Sequence, residues 1–214
     1  GAVGSCETVD DCGVNVASDD VAALTYTSGS TGQPKAVMQT HLQMTFNAYR
    51  QSRLMKLTPG DRVALLASIG GSQGLTTAWC ALQNGASLWP YPVMDKGAEG
   101  LGDWIAASAI SVYISSPSLF RHFIKSLREG AILSSLRIAK LGAEQATSED
   151  FAAFQKHFPE DAIFVHTLGC SEAGNIAALR LSYGDRIHDG SLAAGKALKG
   201  MEVLLVDDDG KPAP

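Results

Sequence analysis

Apolar runs of strand length alternate with helical patterns along most of this 214-residue chain. The helical patterns include His41–Met55, with Leu42, Phe46, Tyr49 and Arg53 on one side, and Leu101–Ala107. Parallel strands need a crossover connection between them, which is usually a helix. We therefore predict an α/β fold with a mostly parallel sheet and helices on both faces, in three layers. The predicted strands are Val21–Thr27 and residues 63–67, 87–89, 112–114, 136–141, 163–167 and 203–206.

The two ends of the chain differ in character from its middle. Residues 1–18 are small and polar without periodicity, so we expect a linker or mobile arm. Residues 19–190 are expected to form the α/β core, and residues 191–214 the start of a β subdomain. The predicted strand at 203–206 runs into Asp207-Asp208-Asp209-Gly210, which is typical of a hairpin turn. A hairpin needs a second strand, so we expect the chain to be truncated there.

Charge and cysteine usage limit the classes of partner. The chain has 17 Lys and Arg against 22 Asp and Glu, a net charge of −5, with no basic block. This balance gives no electrostatic reason to expect a nucleic acid partner, and no apolar run approaches the ~20 residues of a membrane span. Because no C-x-x-C pair occurs, we expect reduced structural thiols in a cytoplasmic protein. The four cysteines are Cys6, Cys12, Cys80 and Cys170.

A loop rich in hydroxyl groups follows the first predicted strand. Residues 26–35 read YTSGSTGQPK, in which Gly29 and Gly32 allow backbone N–H groups to turn inward around an anion. Lys35 adds a positive charge for phosphate oxygens. If the preceding strand is buried, the loop lies at a carboxyl end of the sheet, where ligands of α/β folds bind. The spacing differs from the P-loop pattern, because Ala36 follows Lys35. A Ser/Thr-rich surface turn is the alternative reading.

The segment YTSGSTGQPKAV closely resembles the phosphate-binding signature of the adenylate-forming superfamily. That superfamily includes acyl-CoA synthetases, luciferases and adenylation domains of non-ribosomal peptide synthetases; its usual Gly is Ala36 here. The resemblance implies a ligase in which a carboxylate attacks the α-phosphate of Mg²⁺-bound ATP and releases pyrophosphate. The acyl-AMP then passes to a thiol of coenzyme A or of a carrier protein. It also implies that the phosphates are bound by Thr27, Ser28, Gly29, Ser30, Thr31, Gly32 and Lys35.

Two downstream segments resemble further motifs of this superfamily. Gly142-Ala143-Glu144 is similar to a "GAE" turn whose backbone borders adenine and ribose. Leu168-Gly169-Cys170-Ser171-Glu172 is similar to Tyr-Gly-x-Thr-Glu, which implies that Ser171 contacts the α-phosphate and Glu172 holds Mg²⁺. Leu168 departs from the usual aromatic residue, so stacking on adenine is lost. Without the resemblance, Gly142-Ala143 is a strand-to-helix turn and Glu172 a solvated acid at a helix start.

Other elements of the superfamily do not occur in this sequence. It contains no "TGD" segment to bind the ribose, no C-terminal domain with a catalytic lysine, and no strands before the phosphate loop. The resemblance therefore implies the middle of a catalytic unit, partnered by the rest of its own polypeptide and inactive alone.

Two other functional classes stay open. Gly169-Cys170-Ser171-Glu172-Ala173 comes near the nucleophile elbow of serine hydrolases, with His188 as a possible base. A catalytically inactive nucleotide-binding or scaffold module is favoured slightly by Ala36 and Leu168.

The acid to be activated is the last inference from the sequence. In amino-acid-activating relatives, an Asp at a fixed distance before Asn84-Gly85-Ala86 holds the α-ammonium. Here that position is Ser72, preceded by Gly71, and no acidic residue occurs between Asp61 and Asp95. Since an unpaired buried ammonium is costly, we expect a fatty, hydroxy or aryl acid with an uncharged tail. A flexible loop at residues 70–74, with recognition supplied elsewhere, and an amino acid substrate are the alternatives.

Overall fold

The computed structural model describes residues 13–27 and 35–213. Strands β1 (Val21–Thr27) and β2 (Lys35–Thr40) pair antiparallel in a small sheet of their own, with Thr27 opposite Lys35. The expectation that a buried strand of the main sheet leads into the phosphate loop is therefore wrong: Leu24 and Tyr26 are exposed. Residues 28–34 are too short a connection for a parallel crossover, which takes about a dozen residues or more. The loop residues Ser28, Gly29, Ser30, Thr31 and Gly32 lie outside the described residues.

The main sheet has seven strands in the order β4-β3-β5-β6-β7-β8-β9. Its first five strands are parallel, as predicted: β3 (Arg62–Leu65), β4 (Ser87–Pro90), β5 (Val112–Ser115), β6 (Ile138–Gly142) and β7 (Ile163–Cys170). The last two are antiparallel to their neighbours: β8 (Gly174–Ser182) and β9 (Lys196–Ala197).

Helices cover both faces of this sheet, which confirms the three-layer prediction. The helices are α1 (His41–Met55), α2 (Ser72–Gln83), α3 (Val93–Lys96), α4 (Leu101–Ala107), α5 (Pro117–Ser126) and α6 (Ser148–His157). On one face, Ala48 of α1 and Cys80 of α2 pack against Val63, Val112 and Ile138. On the other, α4, α5 and α6 form a larger core around the sheet, with Leu101, Phe120, Phe123, Phe151, Phe154 and Phe164 fully buried.

The chain after β7 differs from the sequence-based expectation. Glu172 does not begin a helix; residues 171–173 form a turn that leads into β8, so the helix-start interpretation is wrong. Residues 203–205 form no strand, and only a bridge between Val206 and Pro212 remains of the expected hairpin. The turn itself is present, since the Asp207 carboxylate accepts hydrogen bonds from the backbone N–H groups of Asp209 and Lys211. The proposed domain boundaries stay a prediction.

Helix α1 buries polar side chains. It begins with a capping box between Thr40 and Gln43, which satisfies N–H groups of its first turn. Its buried side carries polar residues beside the apolar Met44 and Ala48, whereas Leu42, Phe46 and Tyr49 are exposed. A buried polar helix face needs hydrogen-bond partners, and those of Asn47, Arg50 and Gln51 lie in the candidate site. The buried polar residues are Asn47, Arg50, Gln51 and Ser52.

No helix in the described part of the chain is long and apolar enough to cross a membrane.

Candidate functional site

A cavity of about 440 Å³ opens at the carboxyl ends of β6 and β7, between these strands and helices α1 and α2. Binding at the carboxyl ends of parallel strands is the rule for open α/β sheets. The cavity brings together residues from three predicted site motifs that are far apart in sequence. These are Ser72 from α2, Gly142 and Ala143 from the end of β6, and Gly169, Ser171 and Glu172 around the end of β7.

A smaller cavity of about 210 Å³ lies next to it and is lined by the predicted adenosine-binding residues. Its lining includes Glu144 and Leu168, and it shares Ala143, Thr167 and Gly169 with the larger cavity. Leu168 is half exposed, at 48%, so its side chain is free to contact a ligand. The two cavities are thus neighbouring compartments of one site.

Between these two cavities, neighbouring segments of the chain lie so close together that only small residues fit. A Cβ on Gly142 would lie 2.6 Å from the Thr167 hydroxyl, and a Cβ on Gly169 would lie 2.4 Å from the carbonyl oxygen of Gly174. Ala143 has a φ of 70°, which is unfavourable for a residue with a side chain. Such strained backbone is often found at ligand-binding sites.

The Glu144 carboxylate stabilises this strained turn. It accepts hydrogen bonds from the backbone N–H of Ser118, at 3.0 Å, and from the Ser118 hydroxyl. Ser118 lies in the first turn of α5, where a carboxylate also interacts favourably with the helix dipole. The Glu144 carboxylate is therefore engaged by Ser118.

The turn that carries Ser171 and Glu172 is held by side chains from the N-terminal part of the chain. Gln39 Nε2 donates to the Ser171 carbonyl at 2.7 Å, and Arg50 Nη2 donates to the Ala173 carbonyl at 3.3 Å. Asn47 Oδ1 accepts from the backbone N–H of Asn175 at 3.1 Å. Gln39 lies in β2, which begins at Lys35, so the strand after the predicted phosphate loop is hydrogen-bonded directly to this turn.

Lys35 and Glu172 both expose their side chains to solvent, and the side chain of Ser171 is partly buried. For Thr27, the structure describes the backbone, which pairs with Lys35. Gly71 is the N-cap residue of α2 and Ser72 its first residue. Residues 72–74 are therefore helical, and a Cβ on Gly74 would clash with the Ser68 carbonyl at 2.1 Å.

Arg50 was not predicted as a site residue. It is 5% exposed, and its Nε and Nη1 atoms have no hydrogen-bond partner within residues 13–27 and 35–213. Burial lowers the pKa of its guanidinium group. Arg50 lines a third cavity of about 180 Å³ together with Ser171 and Glu172, so it places a buried positive charge beside the turn. The available sequence signal was its position on the same side of α1 as Met44, Asn47 and Gln51.

Lys140 is the second residue that sequence reasoning missed. It lies in β6, lines the 440 Å³ cavity and is 4% exposed. Its Nζ donates to Gln51 Oε1 at 2.7 Å. Burial lowers the pKa of the Lys140 ammonium to about 8. Its signal in the sequence was a lysine within the otherwise apolar run 138–141.

The geometry around Ser171 and Glu172 bears on the serine-hydrolase alternative and on metal binding. The nucleophile elbow of serine hydrolases joins a strand to a helix, whereas Ser171 lies between two antiparallel strands. Among the described residues, no hydrogen bond joins Ser171 to a histidine, and no group of three or more His, Cys, Asp or Glu side chains could hold a metal ion. A single exposed carboxylate at Glu172 fits Mg²⁺, which is commonly held by one or two carboxylates together with phosphates and water.

A family model described as AMP-binding enzyme matches residues 5–214. Malpibaldin synthetase of Mortierella alpina is 31% identical over 92% of this chain, and the hybrid PKS-NRPS synthetase TAS1 of Pyricularia oryzae is 29% identical over 95%. The chain spans 4% and 12% of the lengths of these two relatives.

The fold is also found in solved structures. The Vibrio cholerae adenylation domain AlmE, solved in complex with glycyl-adenosine-5'-phosphate, superposes with a TM-score of 0.80 at 19% identity. The superposition covers 92% of this chain and 38% of AlmE.

Proposed function

Since this chain belongs to the AMP-binding enzyme family, we propose that its polypeptide uses ATP to activate a carboxylic acid as an acyl-adenylate. The acyl group would then pass to a thiol, either of coenzyme A or of a carrier protein. The meeting of Gly142, Gly169, Ser171 and Glu172 at two adjoining cavities carries this proposal. The relative named as a hybrid PKS-NRPS synthetase favours a carrier protein as the acceptor.

In this proposal, the two cavities bind different parts of the reactants. The smaller cavity would take the adenine between Leu168 and the backbone of residues 142–144, and the larger would take the acid beside Ser72. Glu172 would hold Mg²⁺, which neutralises phosphate charge and favours attack at the α-phosphate. Lys35 and the Ser171 hydroxyl would contact phosphate oxygens. Positioning and charge neutralisation supply most of the rate enhancement in such reactions.

Arg50 would stabilise the turn of residues 171–173 at this site. Its buried guanidinium donates to the Ala173 carbonyl and so orients the turn that carries Ser171 and Glu172. Arg50 is therefore a positioning residue in this proposal, and its positive charge also favours anionic phosphates nearby.

The acid proposed for this site lacks an α-ammonium group. The buried charged side chain of the larger cavity is Lys140, a cation, and Ser72 supplies no carboxylate. An ammonium placed there would meet like charge and would lose its water without gaining a counter-ion. The relative named as a hybrid PKS-NRPS synthetase favours the alternative, an amino acid whose ammonium would have to pair with the exposed Glu172. Location in the cytoplasm also stays a prediction.

ATP–pyrophosphate exchange in the complete polypeptide tests the proposed function. We expect Lys35→Ala and Glu172→Ala to lower acid-dependent exchange by about 10²-fold or more, because each removes charge stabilisation of the reacting phosphates. Lys125→Ala and Glu129→Ala are matched controls, since both side chains are exposed at or just beyond α5. Exchange that survives unchanged in both site variants would rule out this assignment. Binding of ATP without exchange for any acid would favour an inactive nucleotide-binding module.

A further inference from the structure

Lys140 is a buried cation in the wall of a cavity whose other buried lining groups are neutral. The described side chains around it are amides and hydroxyls, including those of Gln51, Gln73, Thr76 and Asn175. The other charged side chain that lines the cavity is Glu172, which is exposed. Within the described ranges, Lys140 takes part in no ion pair.

Among the described residues, one hydrogen-bond partner is available to the Lys140 ammonium group. An ammonium group has three N–H donors, and the hydrogen bond to Gln51 Oε1 uses one of them. The thiol of Cys80, the neighbouring titratable group, is itself buried, and burial raises its pKa to about 11, so it is neutral at pH 7. Burying a charge without a counter-ion is costly, and a ligand that brings the opposite charge recovers this cost.

We propose that Lys140 recognises an anionic group on the substrate, so that the acid activated here carries a second carboxylate or a comparable anion. This proposal rests on the proposed function and refines it. It revises the sequence-based expectation of an uncharged tail while keeping the absence of an α-ammonium group. One carboxylate of the substrate would face the phosphates near Ser171, and the other anionic group would pair with Lys140 at the β6 wall.

The position of Lys140 in the fold supports a role in recognition. Its side chain leaves β6 on the same face as α1 and α2, two residues before Gly142 at the strand end. The cavity is therefore lined both by the exposed Glu172 at the turn and by the buried Lys140, with Ser72 and Thr76 of α2 also in its wall. A substrate with two anionic groups matches a site that combines phosphate chemistry beside Ser171 and Glu172 with a buried lysine.

Matched pairs of acids test the proposal directly. In pyrophosphate exchange, the complete polypeptide is given succinate, glutarate, adipate and suberate, each compared with its monomethyl ester. The ester keeps the carbon chain between the two carbonyl carbons and removes one negative charge. We expect kcat/KM for the best diacid to exceed that of its monoester by at least about tenfold. Lys140→Met should bring this ratio to about one, Lys140→Arg should keep part of it, and Lys125→Met should leave it unchanged. A wild-type ratio near one, or a ratio that survives in Lys140→Met, would overturn the proposal.

A binding readout separates this proposal from the proposed function. The 13Cε signal of Lys140 is followed by NMR through a pH titration, with and without the same diacids, and assigned by its loss in Lys140→Met. We expect the diacid to raise the pKa of Lys140 and the monoester to leave it unchanged. An equal response to both, or to neither, would overturn the role of Lys140. If no acid supports exchange but the diacid still raises this pKa, the adenylation proposal fails while the binding proposal stands.

Discussion

Single residues in this protein show how a charged side chain is stabilised when it is buried. Asp61 is 3% exposed, and its carboxylate accepts hydrogen bonds from the Thr58 N–H, the Ser111 hydroxyl and the Arg137 guanidinium. Arg137 also donates to the carbonyl oxygens of Met55 and Lys56 at the end of α1. This cluster joins the start of β3 to the segments before β5 and β6. Lys140, by contrast, lies in a cavity and has one hydrogen bond to the part of the chain that the structure describes.

The low pKa of the Asp61 carboxyl group predicts that the folded protein loses stability in acid. Burial by itself raises the pKa of its carboxyl group, but the hydrogen bonds from Arg137, Ser111 and Thr58 outweigh this effect and lower the pKa to about 2. The unfolded value is about 3.9, so the stabilisation is present above that pH and is lost as the pH falls towards 2; it amounts to roughly 2 kcal/mol. Urea unfolding measured between pH 5 and pH 2 should show this loss.

The matched variant for this prediction is Asp61→Asn. It should be less stable at pH 6 and should show a smaller loss of stability below pH 4, because its side chain does not titrate. An equally steep acid dependence in Asp61→Asn would show that other carboxyl groups are responsible.

At the scale of elements, the hairpin of β7 and β8 depends on a close contact with α1. Gly174, the first residue of β8, has a φ of 68°, and a Cβ on it would lie 2.6 Å from the Asn47 amide carbon. That contact allows Asn47 to accept the hydrogen bond from the Asn175 N–H, which fixes the turn carrying Ser171 and Glu172. Glycine is therefore required at this position by both its backbone angle and its lack of a side chain.

Gly174→Ala is expected to displace this turn. We expect a loss of about 1–3 kcal/mol in the free energy of unfolding, from backbone strain and the clash with Asn47, and a larger proportional loss of exchange activity. Chemical denaturation of the purified variant and the exchange assay on the complete polypeptide measure the two effects. Gly184→Ala is the control, since a Cβ there meets nothing within 4 Å and its φ is unexceptional. Similar stability in the two variants would contradict the proposed contact.

At the scale of the whole molecule, the described chain corresponds to part of the proteins that it resembles. It covers 38% of the AlmE structure and 4% of malpibaldin synthetase. Several large apolar side chains on β1, β2 and α1 are exposed, among them Leu24, Tyr26, Met38, Leu42 and Phe46.

The 214-residue chain is expected to be inactive by itself. The ribose-binding Asp and the catalytic lysine implied by the family resemblance do not occur in its sequence. Incubation with ATP, Mg²⁺ and a panel of acids should give no sustained pyrophosphate release, whereas the complete polypeptide should give release with its own acid. Sustained release by the isolated chain would show that the described residues already form a sufficient site.

The sequence by itself determined the alternation of strands and helices and the motifs at residues 142–144 and 168–172. These features are local: hydrophobic periodicity and turn residues are properties of neighbouring positions along the chain. His41–Met55 and Leu101–Ala107 were predicted with the observed bounds for this reason. The family resemblance drawn from these motifs agrees with the family model that matches residues 5–214.

Only the tertiary structure decided which polar side chains are buried and where the short strands pair. Lys140 meets Gln51 across 89 positions of sequence, and Gln39 meets Ser171 across 132, so a local pattern such as the apolar run around Lys140 does not show which partner each side chain meets. The separate β1–β2 sheet and the antiparallel β8 likewise depend on which neighbour is available for hydrogen bonding. Burial and strand pairing are set by contacts between distant segments, and the free energy of a buried charge depends on those contacts rather than on the residue type.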